Sequence, residues 1–569
     1  MTIPAFDEII EQNDQTEARI ASLVAIGELV GNVYPNKFAR STVSGGEDTI
    51  TALKHFDKVA GVEAKMAEIK ANLAEGERPP ADKKDALNGE LKALGNVRIA
   101  GRLTTPTRGN FVHLTDGMSK LQVYCNKKGP LALIKNDGAD TLDSGSGWAL
   151  WQLLDHGDFV GVEGYLFVTN TGEVSVHVEK LQFLAKAMLP MPDKMHGIAD
   201  AEIRQRQRYY DLIGSSLRVE SQETGDERQE LSTREVFERR AKVISSLRHF
   251  LEDHGYIEVE TPMLTPKATG AVAKPFKTHH NALDIDLTMR IAPELYLKRL
   301  VVGGFEKVYE LNRNFRNEGI SYKHNPEFTM LEFYCAYMDV NGMMDFCEEL
   351  IRESVQRATG GLKVDYEGNE IDFSKFERVS MRETVEQKGG NPSGSEGAQD
   401  GRDSTVRTLP TGRVSASTDA ELLETFDNEV EPTLIQPTFI IDFPKSISPL
   451  SKASPENPQI AERFELFING MEVANGFSEL NDPKEQYERF VDQTKQREGG
   501  DEEAMILDED YIRALSYGMP PAAGIGIGID RLVMLLTNKH SIRDVILFPH
   551  MRPEKRDGEK GSGGEGETE

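Results

Sequence analysis

The pattern of apolar and polar residues predicts two neighbouring β-strands near the middle of the chain. The segments KVYELNRNF (residues 307–315) and PEFTMLEFY (residues 326–334) both follow the two-residue period of a β-strand. Successive strand side chains point to opposite faces, so Phe328, Glu332 and Tyr334 are predicted to share one face. The pattern predicts a hairpin whose loop, which contains RNEGISYKHN, is rich in charge. Taken alone, such a hairpin is more often solvated surface than a functional site.

A second region of alternation contains short segments with glycine-rich turns between most of them. These segments, all within residues 96–184, are NVRIAGRLTT, NFVHLTDG, KLQVYCN, DFVGVEGYLFVTNTG and EVSVHVEKLQFL. Short strands at this spacing predict a small barrel of the oligonucleotide-binding (OB) type.

Helical periodicity and breaks in composition complete the predicted organisation, which is of the α+β class. An N-terminal OB-fold barrel precedes a larger domain, in which an antiparallel sheet is flanked by helices. The predicted segments are a helical extension with an inserted helical hairpin (1–95), the barrel (96–190), a linker (191–235), the larger domain (236–555) with a low-complexity insertion (387–413), and a disordered tail (556–569).

A further hairpin is predicted around the Asn469-Gly470 pair in FELFINGMEVANGF, because Asn-Gly strongly favours a two-residue turn. In that register Ile468 opposes Met471, Phe467 opposes Glu472, and Glu465 opposes Ala474. Glu465 and Glu472 then share a face with no basic residue nearby. Such a pair can hold Mg²⁺, which prefers oxygen ligands, although a solvated acidic pair is the ordinary alternative.

Strict alternation places three residues of the second strand on the face opposite Glu472. They are Asn475, Phe477 and Glu479. A β-bulge near residues 474–476 would bring both sets of side chains into one pocket, and we expect one there.

Length and cysteine content are typical of a large multidomain protein of a reducing compartment. The chain has 569 residues and a formal net charge of −28, so two or more domains are expected. The three cysteines, Cys125, Cys335 and Cys347, show no pairing or metal-ligand spacing. No signal peptide or long apolar run is found, and a cytoplasmic location with no membrane segment is predicted.

The acidic balance does not exclude nucleic-acid binding, because binding depends on local patches. The predicted barrel carries basic residues that are candidates for phosphate contact, and each of them is equally compatible with a solvated face. They are Arg98, Arg102, Arg108, Lys120, Lys127 and Lys128.

Three segments resemble the motifs of the class II aminoacyl-tRNA synthetases, in the same order. They are residues 237–264 for motif 1, residues 316–334 for motif 2, and GIGIGIDRLVMLLT (residues 524–537) for motif 3. Longer runs, THHNALDIDLTMRIAPELYLKRLVVGGFEKVYELNRNFRNEG and FELFINGMEVANGFSELNDP, resemble the lysyl-tRNA synthetases of this class. The resemblance extends from about residue 96 to 553.

This resemblance implies a lysine–tRNA ligase, with L-lysine, ATP and tRNA(Lys) as substrates and Mg²⁺ bound with ATP. It also implies a homodimer formed through motif 1. By resemblance, the lysine pocket contains Gly270, Glu294, Glu332, Tyr334, Asn475, Phe477 and Glu479. The implied ATP site contains Arg316, Glu318, His324, Phe328 and Arg531, of which Arg316 and Arg531 are catalytic. Glu465 and Glu472 are the implied metal ligands.

In the barrel, the resemblance implies an anticodon site made of a base-stacking aromatic, Phe111, and two base-edge readers, Gln122 and Glu173. Considered alone, Phe111 is more often a core residue. The chain departs from the family pattern at Thr269, where a second glycine is usual, and at Lys274, where arginine is usual.

A rival hypothesis is a non-catalytic or repurposed relative that binds RNA or modifies a protein with a lysine-like substrate. The intact motif residues and the complete barrel argue against it. An aspartate or asparagine enzyme is excluded by pocket charge, because those substrates lack the cation that Glu294 and Glu479 would pair with.

Overall fold

The structure is a computed structural model, which describes residues 3, 5–10, 12–74, 77–105, 107, 109–136, 146–192, 200–217, 230–388, 418–500 and 503–553. The chain divides into two compact units, Met1–Gly225 and Asp226–Glu569. Arg108, residues 389–413 of the predicted insertion, and the predicted tail lie outside the described residues. The domain boundaries within each unit stay predictions.

The first unit contains a β-barrel preceded and followed by helices. Its helices are α1 (Phe6–Ile9), α2 (Asp14–Val30), α3 (Ile50–Lys54), α4 (Asp57–Ala71), α5 (Ala81–Lys92), α6 (Ser146–Leu153), α7 (Ala201–Arg206) and α8 (Arg208–Leu217). Its strands are β1 (Asn96–Leu103), β2 (Phe111–Thr115), β3 (Lys120–Tyr124), β4 (Ala132–Ile134), β5 (Phe159–Val168) and β6 (Val174–Ala185).

The barrel is closed by a parallel pairing between its end strands. The order is β3-β2-β1-β5-β6, and β3 also pairs with β6. Inward-pointing residues of β1, such as Val97 and Ile99, are fully buried in its core. The predicted OB barrel is therefore confirmed. The short strand β4 and helix α6 were not predicted, because a short apolar run such as residues 146–153 has no distinguishing period.

The second unit is a large sheet flanked by helices. Its helices are α9 (Thr233–Asp253), α10 (Glu294–Val302), α11 (Val340–Thr359), α12 (Met381–Lys388), α13 (Asp419–Thr425), α14 (Pro483–Glu498), α15 (Glu509–Leu515), α16 (Ile529–Thr537) and α17 (Ile542–Val545), with a π-turn at Phe426–Val430 and 3₁₀ turns at Glu431–Thr433 and Lys445–Ile447. Its strands are β7 (Ile257–Glu258), β8 (Leu264–Thr265), β9 (Lys277–His280), β10 (Ile285–Met289), β11 (Lys307–Phe315), β12 (Glu327–Ala336), β13 (Lys363–Tyr366), β14 (Asn369–Asp372), β15 (Glu377–Ser380), β16 (Thr438–Ile441), β17 (Arg463–Ile468), β18 (Met471–Ser478) and β19 (Ala522–Gly528).

The main sheet has the order β15-β16-β17-β18-β19-β12-β11-β7. Neighbours from β16 to β11 are antiparallel, which confirms the predicted antiparallel sheet at its centre. At both edges that prediction was wrong, because β15 runs parallel to β16 and β7 runs parallel to β11. Parallel neighbours require long crossover connections, which a search for hairpin turns does not detect.

The two faces of β12 have separate roles, as its alternation predicted. Leu331 and Phe333 are fully buried in the core, to which helices α9 and α11 also contribute. Phe328, Glu332 and Tyr334 instead line a cavity on the other face of the sheet. The packed face holds the strand in place and leaves the opposite face free for ligand contacts.

The β17–β18 hairpin contains the expected bulge, one residue earlier than predicted. Ile468 pairs with Met471 and Phe467 with Glu472, and then the register shifts. Glu465 consequently pairs with Asn475 and not with Ala474, because the bulge adds Val473 to β18. The shift brings Glu472 and Asn475 to the same cavity.

Hydropathy adds one observation about the helices. Over the described residues, no helix combines the length and the apolar composition that crossing a bilayer requires.

Candidate active site

A cavity of about 400 Å³ opens on the sheet face of the second unit. Its walls come from β12, β18, β19 and the loops beside them. They include the predicted residues Gly270, Glu294, Arg316, Glu318, His324, Phe328, Glu332, Tyr334, Glu465, Glu472, Asn475, Phe477 and Arg531. Glu479 does not line the cavity. The structure thus brings together residues that are up to 261 positions apart in the sequence, from Gly270 to Arg531.

Arg316 begins the loop that connects β11 to β12. Its backbone N–H donates to the carbonyl of Pro326 (2.9 Å), which closes the base of the loop. Its guanidinium lies 5.1 Å from the ring centroid of Phe328, and its Nε is buried without a hydrogen-bond partner among the described residues. A cation over a flat aromatic wall suits a ligand with a planar ring and a negative charge.

Arg531 occupies the first turn of α16, as predicted. Its Nη1 donates to the backbone carbonyl of Glu472 (2.6 Å), and its Nη2 lies 3.3 Å from Nε2 of His324. The Nδ1 of His324 is in turn 2.9 Å from the hydroxyl of Ser321. Desolvation and the nearby Arg531 guanidinium lower the pKa of His324, which favours a neutral imidazole at pH 7.

The glycines of β19 leave room for the side chains of its neighbours. Gly524 pairs with Tyr334, and a Cβ at this position would overlap both the Tyr334 ring and the Glu479 carboxylate. Gly526 lies opposite Glu332 in the same pair of strands. At Gly270 the backbone has φ +93°, a conformation that favours glycine, and a Cβ there would lie 3.3 Å from that of Glu294.

Glu332 is a buried acid on the cavity wall with a strongly raised pKa. It is 5% exposed, and burial together with the Glu294 charge raises its pKa to about 8. The hydroxyl of Tyr334 lies 3.4 Å from its Oε2. Glu310, its neighbour on β11, pairs with the buried Arg290 at 2.7 Å, so it contributes little free charge. Among the described residues no cation forms an ion pair with Glu332, although the charges of Arg290 and Arg316 oppose the rise in its pKa.

The two other buried acids of this region share a lysine that the sequence analysis did not consider. Lys298 lies one helical turn after Glu294, and its Nζ is 2.6 Å from Oε1 of Glu294 and in direct contact with Glu479. Lys298 and the Glu479 side chain are fully buried. The i, i+4 spacing of Glu294 and Lys298 was the available signal. Glu479 was predicted to contact substrate, yet in this structure it faces Lys298.

Glu465 and Glu472 lie near each other, but the expectation that no basic residue is nearby was wrong. Arg463 contacts Glu465, and Arg531 lies 3.3 Å from Glu472. Arg463 is two residues from Glu465 on the same strand, so strand alternation puts both on one face. Burial raises the pKa of Glu465 to about 7, against the opposing effect of Arg463. Among the described residues, no three potential ligands cluster as a metal site of their own.

The predicted anticodon residues share one face of the barrel in the first unit. Phe111 is 45% exposed and packs on Tyr124 with ring centroids 4.7 Å apart. Gln122 donates to Glu173 (2.8 Å), whose other oxygen lies 2.9 Å from Nε2 of His113. The alternative that Phe111 is a core residue is therefore wrong. Tyr124 and His113 were missed, although alternation along β2 and β3 places them on this face.

Two of the candidate phosphate-binding residues are engaged within the barrel unit. The Arg98 guanidinium lies 4.8 Å from the ring centroid of Phe38, and that of Arg102 lies 4.3 Å from the ring of Phe159. Arg98 also donates to the side chain of Gln182 (2.8 Å). These contacts favour a structural role for both arginines.

Comparison with known proteins assigns both units. Residues 226–552 match the family model of class II tRNA synthetases (D, K and N), and residues 97–184 match that of OB-fold nucleic-acid-binding domains. A lysine–tRNA ligase of Dichelobacter nodosus is 49% identical over 82% of this chain and 89% of its own length. One of Thiobacillus denitrificans is 44% identical over 97% of this chain and 100% of its own length.

The chain belongs to the class II lysine–tRNA ligase family.

The segment of this ligase-family chain that contains the two departures, residues 265–276, contributes Gly270, Ala271 and Val272 to the cavity wall. Thr269 is buried, and the main-chain carbonyl of Lys274 accepts a hydrogen bond from the N–H of Asn317 (2.7 Å). This segment is thus tied to the Arg316 loop by its backbone, which a change of side chain at position 274 does not remove.

Sequence reasoning also missed a buried carboxylate next to Arg531 in the ligase family's third motif. Asp530 is 2% exposed; it accepts from Arg240 of α9 (2.7 Å) and from the backbone N–H of Thr329 (2.7 Å). One buried carboxylate therefore joins α9, β12 and α16. No sequence pattern distinguishes Asp530 from an ordinary acidic residue in the first turn of a helix.

Proposed function

We propose that the protein activates L-lysine with ATP to form lysyl-adenylate and pyrophosphate, and then transfers the lysyl group to the 3′ end of tRNA(Lys). The observation that carries this proposal is one cavity that combines buried carboxylates on one side with Arg316, Phe328 and Arg531 on the other. Family membership supplies the reaction class.

The acidic side suits an amino acid with two ammonium groups. We assign the side-chain ammonium of lysine to the region of Glu294 and Tyr334, and the α-ammonium to Glu332 and the backbone of Gly270. Asn475, whose side-chain oxygen is buried without a hydrogen-bond partner among the described residues, offers an acceptor beside them. A neutral amino acid would leave these acceptors unpaired, which disfavours its binding. The direct contact of Glu479 with substrate stays a prediction.

The other side suits ATP. We assign the adenine ring to Phe328, with Arg531 on its other face, and place Glu318 and His324 beside the nucleotide. Arg316 would bridge the lysine carboxylate and the α-phosphate. In the first step a carboxylate oxygen attacks the α-phosphorus, the α–β phosphoanhydride bond breaks, and pyrophosphate leaves. No protein nucleophile is needed, because positioning and the two arginines stabilise charge at phosphorus.

Mg²⁺ is the cofactor that fits this donor set, because Glu465 and Glu472 offer oxygen ligands to a hard cation. Two carboxylates are too few for a complete site, so phosphate oxygens of ATP would have to supply further ligands. When bound, the ion neutralises phosphate charge. The residues present hold the two carboxylates in place through Arg463 and Arg531.

The proposals for tRNA binding, dimerisation and location rest on the likeness to the family. We propose that Phe111 stacks on an anticodon base while Gln122 and Glu173 exchange their mutual hydrogen bond for contacts to base edges. We also propose a homodimer through motif 1, where the apolar side chains of Ile257 and Leu264 are half exposed. The buried free thiols of the three cysteines support the reducing cytoplasm as the location.

Aminoacylation tests the proposal directly. The purified chain is incubated with ATP, Mg²⁺, lysine tRNA and each radiolabelled amino acid in turn, and ester-linked label on the tRNA is counted. Lysine alone is expected to be transferred. Stable binding of RNA without transfer of any amino acid would instead support the repurposed relative.

A further inference from the structure

We infer that Lys298 is a positioning residue that sets the charge of the lysine pocket, so that the pocket accepts a substrate with two positive charges. The inference rests on the proposed function and deepens it. Lys298 contacts Glu294 and Glu479 but does not line the cavity, so the proposed pocket assigns it no role.

Burial makes the contact a fixed part of the fold. The Lys298 side chain and that of Glu479 are 0% exposed, and Glu294 is 8% exposed as a residue. The Lys298 ammonium lies behind Phe477, 5.2 Å from its ring centroid, and Phe477 is part of the cavity wall. The ammonium is thus held between two carboxylates, next to the cavity wall but not part of it.

The charges of the pocket then match those of lysine. Glu294, Glu332 and Glu479 are the buried carboxylates around it, and Lys298 is the cation that lies among them. With Lys298 counted, the ionised pocket lacks two positive charges, which L-lysine supplies through its ammonium groups. The lysine carboxylate is assigned to Arg316 and does not enter this balance.

Other charged groups around Lys298 do not change the match. Tyr511 of α15 and Tyr334 of β12 face the same region, and burial raises the pKa of both, so they stay neutral. Arg463 of β17 is already in contact with Glu465. Glu310 of β11 pairs with Arg290, which follows β10. These groups contribute no further net charge.

The pKa directions agree with this arrangement. Burial raises the pKa values of Glu294 and Glu479, and the Lys298 ammonium opposes both rises. Burial alone would lower the pKa of Lys298, but the two carboxylates raise it, so the ammonium keeps its proton. Without Lys298, the carboxylates would take up additional protons, which lysine would have to displace on binding.

The test is the number of protons released when lysine binds. Calorimetry of the full chain with L-lysine, in two buffers of different ionisation enthalpy and at several pH values, measures both affinity and proton count. For Lys298→Met, a variant of similar length without charge, we expect more protons released per lysine. At pH 7 we expect lysine binding to weaken by about tenfold or more, the effect of a shift of one pKa unit, and the deficit to shrink as pH rises.

Arg299→Met is the matched control, because Arg299 is the next residue of α10 and pairs with Asp508 at 2.8 Å, outside the cavity. It should keep the wild-type proton count. If Lys298→Met lost affinity equally at every pH and released the wild-type number of protons, its role would be packing alone and the inference would be overturned.

The double variant Lys298→Met/Glu479→Gln covers the case in which the single variant does not fold. Removing one carboxylate together with its ammonium restores the charge match, so the double variant should recover the wild-type proton count. If the double variant released as many extra protons as are expected for Lys298→Met alone, the inference would be overturned. Failure of the wild-type chain to bind lysine would instead refute the proposed function.

Discussion

Arg316 is the residue on which the proposed chemistry depends most. Its guanidinium is the group placed to bridge the lysine carboxylate and the α-phosphate, whereas its backbone alone closes the loop. Arg316→Ala should therefore lower the rate of adenylate formation by about 2.7–4 kcal/mol in activation free energy, a hundred- to a thousandfold, without unfolding the protein. Rapid-quench kinetics under single-turnover conditions measures this rate.

Arg313→Ala is the control for this change. Arg313 lies on β11, three residues before Arg316, pairs with Glu327 at 3.6 Å and is not part of the cavity wall. Its variant should keep the wild-type rate. A near-normal rate for Arg316→Ala would remove that residue from the mechanism.

Glu332 predicts a pH dependence of lysine binding. With a pKa raised to about 8, it is largely protonated at pH 7 in the free protein. A bound α-ammonium would favour its carboxylate form, so binding releases a proton and should tighten as pH rises from 7 towards 8. Titrations of lysine between pH 6.5 and 8.5 measure this trend. Glu332→Gln should bind weakly with a flatter profile; an unchanged slope would contradict the assignment.

At the residue scale, sequence reasoning located the cavity residues but not the cationic side chains that pair with the acidic ones. The family resemblance grouped Arg316, Glu332 and Arg531, and all three line the cavity. It did not reveal that Lys298 contacts Glu479, or that arginines contact Glu465 and Glu472. Which charge pairs with which depends on side-chain packing between distant segments, and that has no local signal.

At the scale of elements, helix α9 is connected to the active site by a buried ion pair. Arg240 donates to Asp530 (2.7 Å) and to the hydroxyl of Thr329 (3.0 Å). Arg240→Met would leave the buried Asp530 carboxylate without its cationic partner, at a cost of about 3–5 kcal/mol in stability. Arg248→Met, on the same helix, breaks only a half-exposed pair with Glu258, worth about 0–1 kcal/mol.

Urea unfolding distinguishes these two variants. Both tryptophans, Trp148 and Trp151, lie in the first unit. For Arg240→Met the transition measured by far-UV circular dichroism should shift to lower urea, while the tryptophan fluorescence transition stays in place. Equal shifts for Arg240→Met and Arg248→Met would show that the buried pair has no special role.

Local patterns predicted the elements well where the chain turns back on itself. The Asn469-Gly470 turn set the register of the β17–β18 hairpin, and the need to unite Glu472 with Asn475 predicted its bulge. The parallel edge strands were missed because their partners are far apart in sequence. Pairing at long range is decided by packing of the whole sheet and not by turn chemistry.

At the scale of the whole molecule, the two units are expected to divide the reaction between them. Phe111→Ala should lower tRNA charging at limiting tRNA without changing lysine activation, because a stacked base is worth about 1–3 kcal/mol. Phe159→Ala is the matched control, since Phe159 is also exposed but packs against Arg102. Charging assays over a range of tRNA concentrations, run beside activation assays, compare them. Equal losses in both activities would contradict the division.

Composition alone gave little guidance at this scale. A net charge of −28 does not suggest a tRNA-binding protein, and the basic residues Arg98 and Arg102 of the barrel are engaged in internal contacts. The two-unit organisation followed from the change of period along the chain. The function was inferred from three motifs, because together and in order they resemble those of a known family.

The central claim is that this cavity selects lysine for reaction with ATP. Amino-acid-dependent exchange of pyrophosphate into ATP, measured for each standard amino acid with Mg²⁺ present, tests it most directly. Exchange that requires lysine and occurs with no other amino acid is the predicted result. Exchange with a different amino acid, or none with any amino acid in folded protein, would contradict the account.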